Sequence, residues 1–222
     1  LVHTGSNRFM MGSGTADDWQ SDLHVTNNSS GDMRIAQEGL GHNVSGTLNW
    51  DQIGSSTISY LAVNTGASLN VDGAANFTNT NTVGGDIYIG NNGDISFNSS
   101  VDIVNTPTTS NTGSTVIASG NNSQVDITGN LTVLNNGSAP TSQVQIGNNG
   151  DVNALADVLF SYINDNMDTI PIGTVPVGVL KHDTSSVQRS WIVVDKYTTI
   201  VAEIINTNTL EFLYTDNTSS IG

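Results

Sequence analysis

Apolar and polar residues alternate along this chain in short runs, and the runs recur. Leu69 and Val71, Ile95 and Phe97, Val125 and Ile127, and Val152 and Ala154 are each separated by one polar residue. Six positions after the second member of each pair comes Phe77, Ile103, Val133 or Phe160. A period of two turns alternate side chains to one face, so each run predicts a short β-strand with one face toward a core. Gly, Asn and Ser cluster between the runs and supply the positive-φ positions that corners need.

The runs form a larger repeat. Between Thr57 and Asn164 nearly the same phrase occurs four times, and Leu69, Ile95, Val125 and Val152 align at spacings of 26, 30 and 27 residues. Periods of this size mark stacked or solenoid architectures. Val44-Ser-Gly-Thr-Leu48-Asn-Trp50 superimposes on Val71-Asp-Gly-Ala-Ala75-Asn-Phe77 with Gly46 opposite Gly73, which extends the array toward the N-terminus. The predicted fold class is therefore all-β: a β-helix or solenoid-like array of 26–30-residue coils, followed by a small C-terminal β meander. Asn79, Asn105 and Asn135 fall two residues past the last inward apolar position in three copies. Stacked asparagines at a corner can bond one another up the stack, so these three predict an amide ladder.

Away from the clearest copies the signal weakens. Residues 1–31 read as an N-terminal cap or a degenerate coil, and 32–166 as the repeat array. Within the array, Val152 to Ile163 also fits helical spacing, so it is either the last coil or a short closing helix. Terminal repeats are expected to be atypical. Two prolines and two glycines between Ile170 and Val179 make 167–186 an extended connector. The β-branched and aromatic runs of 187–222 predict a three-strand meander, too small to bury a core alone.

Composition removes whole classes of function. Charged residues are 11% of 222, with 5 basic against 20 acidic, for a net charge of -15. Nucleic-acid binding needs clustered Lys and Arg and is excluded on that ground, and anionic membrane surfaces are disfavoured. No run of about 18 apolar residues is present to insert into a membrane. There is no cysteine, hence no disulfide framework. The sequence opens on Leu1 rather than Met, which predicts a processed product or a fragment. Asn-x-Ser/Thr occurs at Asn28, Asn43, Asn76, Asn98 and Asn130 among others, as expected by chance where all three residues are frequent.

Catalytic chemistry finds little support. A glycan-cleaving site needs paired carboxylates, or an acidic metal cluster with a basic proton acceptor. No Arg or Lys lies between Arg34 and Lys181. Asp94 and Asp151 close the loops Gly90-Asn-Asn-Gly-Asp94 and Gly147-Asn-Asn-Gly-Asp151 and are the best Ca²⁺ candidates, but a turn reading of these loops is favoured. His3, His24, His42 and His182 lack metal-ligand spacing. No catalytic residue, metal or cofactor is expected, and the chain is read as a non-enzyme. Ligand binding, if any, would fall to the aromatics of the array: Trp50, Tyr60 and Tyr88, with Tyr88 pointing outward between Ile87 and Ile89.

Leu69-Asn-Val-Asp-Gly-Ala-Ala-Asn-Phe77 followed by Val83-Gly-Gly-Asp-Ile-Tyr-Ile-Gly90 resembles the shaft sequences of tailed-bacteriophage fibres. The resemblance covers roughly residues 44 to 152. It implies a homotrimer with β-structure along a fibre axis and a host-surface receptor. The coils are also similar to the β-helical binding regions of serine-rich-repeat adhesins from Gram-positive bacteria, which implies a glycan receptor. The expected function is accordingly extracellular or virion-borne and structural or adhesive: first a virion fibre or tail component, second a surface adhesin, third a filament subunit pairing through its C-terminal strands.

Overall fold

A computed structural model describes residues 1–12, 15–39, 41–53, 57–62, 64–81, 85–106, 114–120, 123–136, 144–146, 150–156 and 158–163, and the backbone of five later strands. The side chains of Thr57, Asn135, Asn136, 144–146, Asp151 and everything beyond 156 lie outside the described residues.

In chain order the strands are β1 (Val2–His3), β2 (Phe9–Met11), β3 (Asp18–Trp19), β4 (Leu23–Asn27), β5 (Met33–Ile35), β6 (His42–Val44), β7 (Leu48–Gln52), β8 (Thr57–Leu61), β9 (Ser68–Val71) and β10 (Ala75–Asn79). They continue as β11 (Gly85–Asn91), β12 (Asp94–Phe97), β13 (Val101–Asn105), β14 (Thr115–Ser119), β15 (Gln124–Ile127), β16 (Leu131–Asn136), β17 (Val144–Ile146), β18 (Asp151–Ala154) and β19 (Val158–Ile163). From β1 to β16 each pairs in parallel with the strand three places on, so three strands make one coil and three sheets make the walls. Face A holds β1, β4, β7, β10, β13, β16 and β19; face B holds β2, β5, β8, β11, β14 and β17; face C holds β3, β6, β9, β12, β15 and β18. The protein is a β-solenoid whose coils stack within one chain, with no helix among the described residues.

The register follows the sequence alignment. Leu69, Ile95, Val125 and Val152 are successive partners on face C. Trp50, Phe77, Ile103, Val133 and Phe160 are successive partners on face A. The described members of both rows are buried to within 2% and share one continuous core, where Phe77 meets Phe97 edge to face at 6.0 Å. Alternation explains the arrangement: strands read buried, half-buried, buried along their length, so a one-residue slip would expose every core side chain.

The corners divide by chemistry. From face B to face C the chain turns through Gly12, Ala36, Ala62, Gly90 and Ala118, one above another, all with φ between 50° and 70°. Alanine there is unexpected, since the left-handed region costs an L-residue about 1 kcal/mol. The three alanine methyls have no exposed surface, so burial offsets the strain. From face C to face A, Gly46, Gly73 and Gly129 allow close passage: a Cβ on Gly73 would lie 2.6 Å from the Gly46 backbone.

The end of the stack carries strands beyond the last parallel coil. Of the two alternatives left open for Val152 to Ile163, the strands β18 and β19 match the last coil, not the closing helix. The span 167–186, read as a connector, contributes β20 (Thr169–Val175) and β21 (Gly178–Leu180). Then come β22 (Ile192–Val194), β23 (Ala202–Ile204) and β24 (Leu210–Phe212). Strands β20, β21 and β22 add antiparallel to β19, β18 and β17. The chain thus reverses after β19 and covers the last edge of each face in the order A, C, B. Among the described residues of the expected three-strand meander, β23 and β24 pair with each other while β22 pairs with β17. The open edge of the final coil offers unpaired N–H and C=O groups, and β22 takes one of those edges instead.

Candidate functional site

Outward side chains form rows along the solenoid axis, about 4.8 Å apart from coil to coil. On face B one row runs Met10, Arg34, Tyr60 and Tyr88, with the buried Val116 next in register. Tyr60 and Tyr88 stack at 5.2 Å between centroids and 19° between planes, and the Arg34 guanidinium lies 5.0 Å from the Tyr60 centroid. Arg34 and Arg8 both reach Asp32 Oδ2, at 3.3 and 3.5 Å. Two residues before Tyr88 on the same strand stands Asp86, which accepts the Ser114 backbone N–H at 2.8 Å.

The electrostatics follow from partial burial. Burial pushes the Asp86 carboxyl above its ordinary value, while the Ser114 N–H pulls it back. Burial also raises both phenols; nearby Asp32 adds to the rise at Tyr60, and Asp86 at Tyr88. The tyrosines therefore stay protonated at neutral pH and present a line of hydroxyls. Their ring faces are largely committed: Tyr60 lies between Arg34 and Tyr88, and Tyr88 stands in register with the buried Val116.

Face C carries a different row: Asp18, Asn43, Asn70, Ser96, Asp126 and Asn153. Asn70 Nδ2 donates to Asn43 Oδ1 at 2.7 Å and to Asp72 Oδ1 at 2.8 Å. Asn98 Nδ2 donates to Asn70 Oδ1 at 3.0 Å and to the same Asp72 oxygen at 2.9 Å. Asn153 donates to Asp126 from the next coil. The amide of Asn70, then that of Asn98, holds the Asp72 carboxyl below the usual carboxylate range. On face A, Asn76 repeats the arrangement by donating to Asn49 Oδ1 at 2.8 Å.

Of the three residues expected to form a ladder, Asn79, Asn105 and Asn135, Asn79 bonds across its own corner instead. The three are successive register partners, and Asn27 and Gln52 extend their column. Asn79 and Asn105 are fully buried, and the Asn135 side chain lies outside the described residues. Asn79 Nδ2 donates to Gly85 O at 3.1 Å and Asn79 Oδ1 accepts from Asn81 at 2.6 Å, so its bonds tie the corner between faces A and B. Asn27 reaches the next coil through Ser59, which donates to Gln52.

Trp50 is not a surface aromatic. Its parity matches Phe77, so it points inward with no exposed area and cannot meet a ligand. Tyr60 and Tyr88 face outward, half-buried, as their flanking residues predict. Asp94, one Ca²⁺ candidate, is exposed and accepts the Gln124 N–H at 3.0 Å from the next coil. The Asp151 side chain lies outside the described residues, and among the described ones no three His, Cys, Asp or Glu gather as metal ligands. His42 is a satisfied core histidine: Asp17 N–H donates to Nδ1 at 3.1 Å, and Nε2 donates to Glu38 O at 2.8 Å. Arg34, Asp32 and Asp86 escaped sequence reading, although Arg34, Tyr60 and Tyr88 share one phase of the repeat.

No family model, no curated protein and no solved structure matches this chain. The likeness to phage shafts and bacterial adhesins rests on the residues quoted for it alone.

Proposed function

We propose that this chain is a non-enzymatic extracellular structural and adhesive protein, a stiff rod of the kind that serves as a virion fibre or tail-associated component. The observation that carries the reading is the way polar side chains bond between coils. Asn43, Asn70, Asn98 and Asp72 are tied along the axis, as are Asn49 with Asn76 and Asp126 with Asn153. Groups held by neighbours on adjacent coils resist bending and are poorly placed to move protons. Few charged residues, mostly acidic and giving a net charge of -15, suit a surface that stays soluble outside the cell. Each coil closes its core within one chain, so copies would meet through outer faces rather than interleave. Immunogold labelling of the source's virions and cells tests the proposal. Label on projecting fibres is expected, and label confined to the cell interior would overturn it.

The tyrosine strip favours a second reading, a surface adhesin for glycans. Its donors are phenol hydroxyls and Arg8, not open ring faces, so it would bind sugars through hydrogen bonds rather than stacking. A glycan array probed with the wild type and Tyr88→Ala decides: a hit that Tyr88→Ala abolishes supports it, and an empty array removes it.

A further inference from the structure

Face B differs from the other two walls. Among the described residues, the outward rows of faces A and C are dominated by Asn, Asp, Thr and Ser between Val2 at one end and Val104 and Leu134 at the other. Face B carries Met10, Ile58, Tyr60 and Tyr88, with Arg8 and Arg34 toward its N-terminal end. Met10 is 47% exposed. Tyr, Met and Arg together with few Lys or Glu is the composition of a protein–protein contact.

The charges on this wall are arranged by coil. Arg8 stands one coil before Arg34, and its side chain reaches forward to share with Arg34 the single carboxylate of Asp32, which leaves one net positive charge beside the coil of Arg34. The coil of Tyr60 carries no charge on this wall. At the coil of Tyr88, Asp86 accepts one backbone N–H and has no ion-pair partner among the described residues. The order from N- to C-terminal end is therefore positive, neutral, negative, with Tyr60 at the centre.

We infer that face B is a two-fold interface between two copies of this chain, packed antiparallel about the coil of Tyr60. A two-fold axis along the strands of that coil sets the Arg8–Asp32–Arg34 group of one copy against the partner coil that bears Asp86, and the reverse. Tyr60 meets its own symmetry mate between these two charge contacts. A parallel arrangement, including a three-fold one through this wall, would set like charge against like at each coil. The wall is narrow, so the pair is weak and forms at high concentration. This inference does not depend on the fibre reading, and either can fail alone.

Sedimentation equilibrium of the full chain from micromolar to millimolar concentration is the test. Wild type is expected as a monomer–dimer equilibrium. Arg8→Asp, at an exposed side chain, makes the first group net negative and should weaken pairing about ten-fold or more. Asp86→Arg should weaken it similarly, and the double variant Arg8→Asp/Asp86→Arg should restore it. Because Asp86→Arg could perturb folding at a half-buried site, equimolar mixing offers a second check. Arg8→Asp mixed with Asp86→Arg should pair where neither does alone. Asp86→Asn, close to isosteric, should give an intermediate loss. A strictly monomeric wild type would overturn the proposal and leave the wall to a different partner. A trimer, or a dimer indifferent to Arg8 and Asp86, would also overturn it.

Discussion

Asparagine stands in two columns of this solenoid and behaves differently in each. In the inner column, Asn79 is fully buried and spends its amide on Gly85 O and Asn81, closing the corner between faces A and B. In the outer column, Asn43 and Asn70, with Asn98 alongside, bond one another from coil to coil at 2.7 and 3.0 Å. The difference lies in what the amide would otherwise lack. A buried corner leaves carbonyl groups with no water, so the nearest amide must serve the backbone. An outward amide has water available, and its along-axis bonds add stiffness rather than satisfy an obligation. At Asn79, stacking in register does not by itself create a ladder.

Substitutions at the corners and on the outer wall should separate the two roles, and the largest loss belongs to the corner where successive coils pass closest. Gly73→Ala forces a Cβ to 2.6 Å from the Gly46 backbone, where neither coil can move freely. It should cost about 3 kcal/mol or more of unfolding free energy, measured by urea denaturation. Asn79→Ala strips one donor from the buried corner and leaves Asn81 short of an acceptor, for a loss of about 1–3 kcal/mol. If Asn79→Ala proved no worse than an outer substitution, the distinction between the columns would fail.

Asp86→Asn probes the outer wall with the opposite sign. The folded carboxyl titrates above its ordinary value, so the folded state binds the proton more tightly than the unfolded chain does. Stability contributed by that proton is present below the ordinary carboxylate value and is lost as pH rises through the raised one. Asp86→Asn, measured at concentrations where the chain is monomeric, should therefore be more stable than wild type at neutral pH. The gain should vanish in acid; a constant offset across pH would sink the idea.

Asn70→Ala should have the smallest effect, about 0.5–1 kcal/mol by denaturation. Its sharper readout is Asp72. Losing the first of two amide donors should let the Asp72 carboxyl titrate closer to the ordinary range, visible in its NMR pH profile. An unmoved Asp72 would mean that the ladder bond is not formed in solution.

Much of the fold was legible because a period of two inside a period near 27 leaves few ways to bury Leu69, Ile95 and Val125 together. Tyr88 between Ile87 and Ile89 was readable as outward for the same reason. Trp50 was open to the same reading, since its alignment with Phe77 already placed it in the core. The alanine corners at Ala36, Ala62 and Ala118 carry no signal of their kind, because nothing local marks alanine for positive φ. The candidate site was less legible still. Arg34, Tyr60, Asp32 and Asp86 meet only because coils of unequal length return to the same phase.

By itself, then, the sequence determined the strand parity, the coil length and the stacking of Val44 on Val71 and of Trp50 on Phe77, because alternation and burial act locally and repeat. Tertiary structure alone decided which asparagines bond each other, how the last coil is covered by β20, β21 and β22, and which charges share face B. Those outcomes depend on neighbours a whole coil away, where register and the competition for buried backbone groups select the partner, and no short stretch of sequence carries that information.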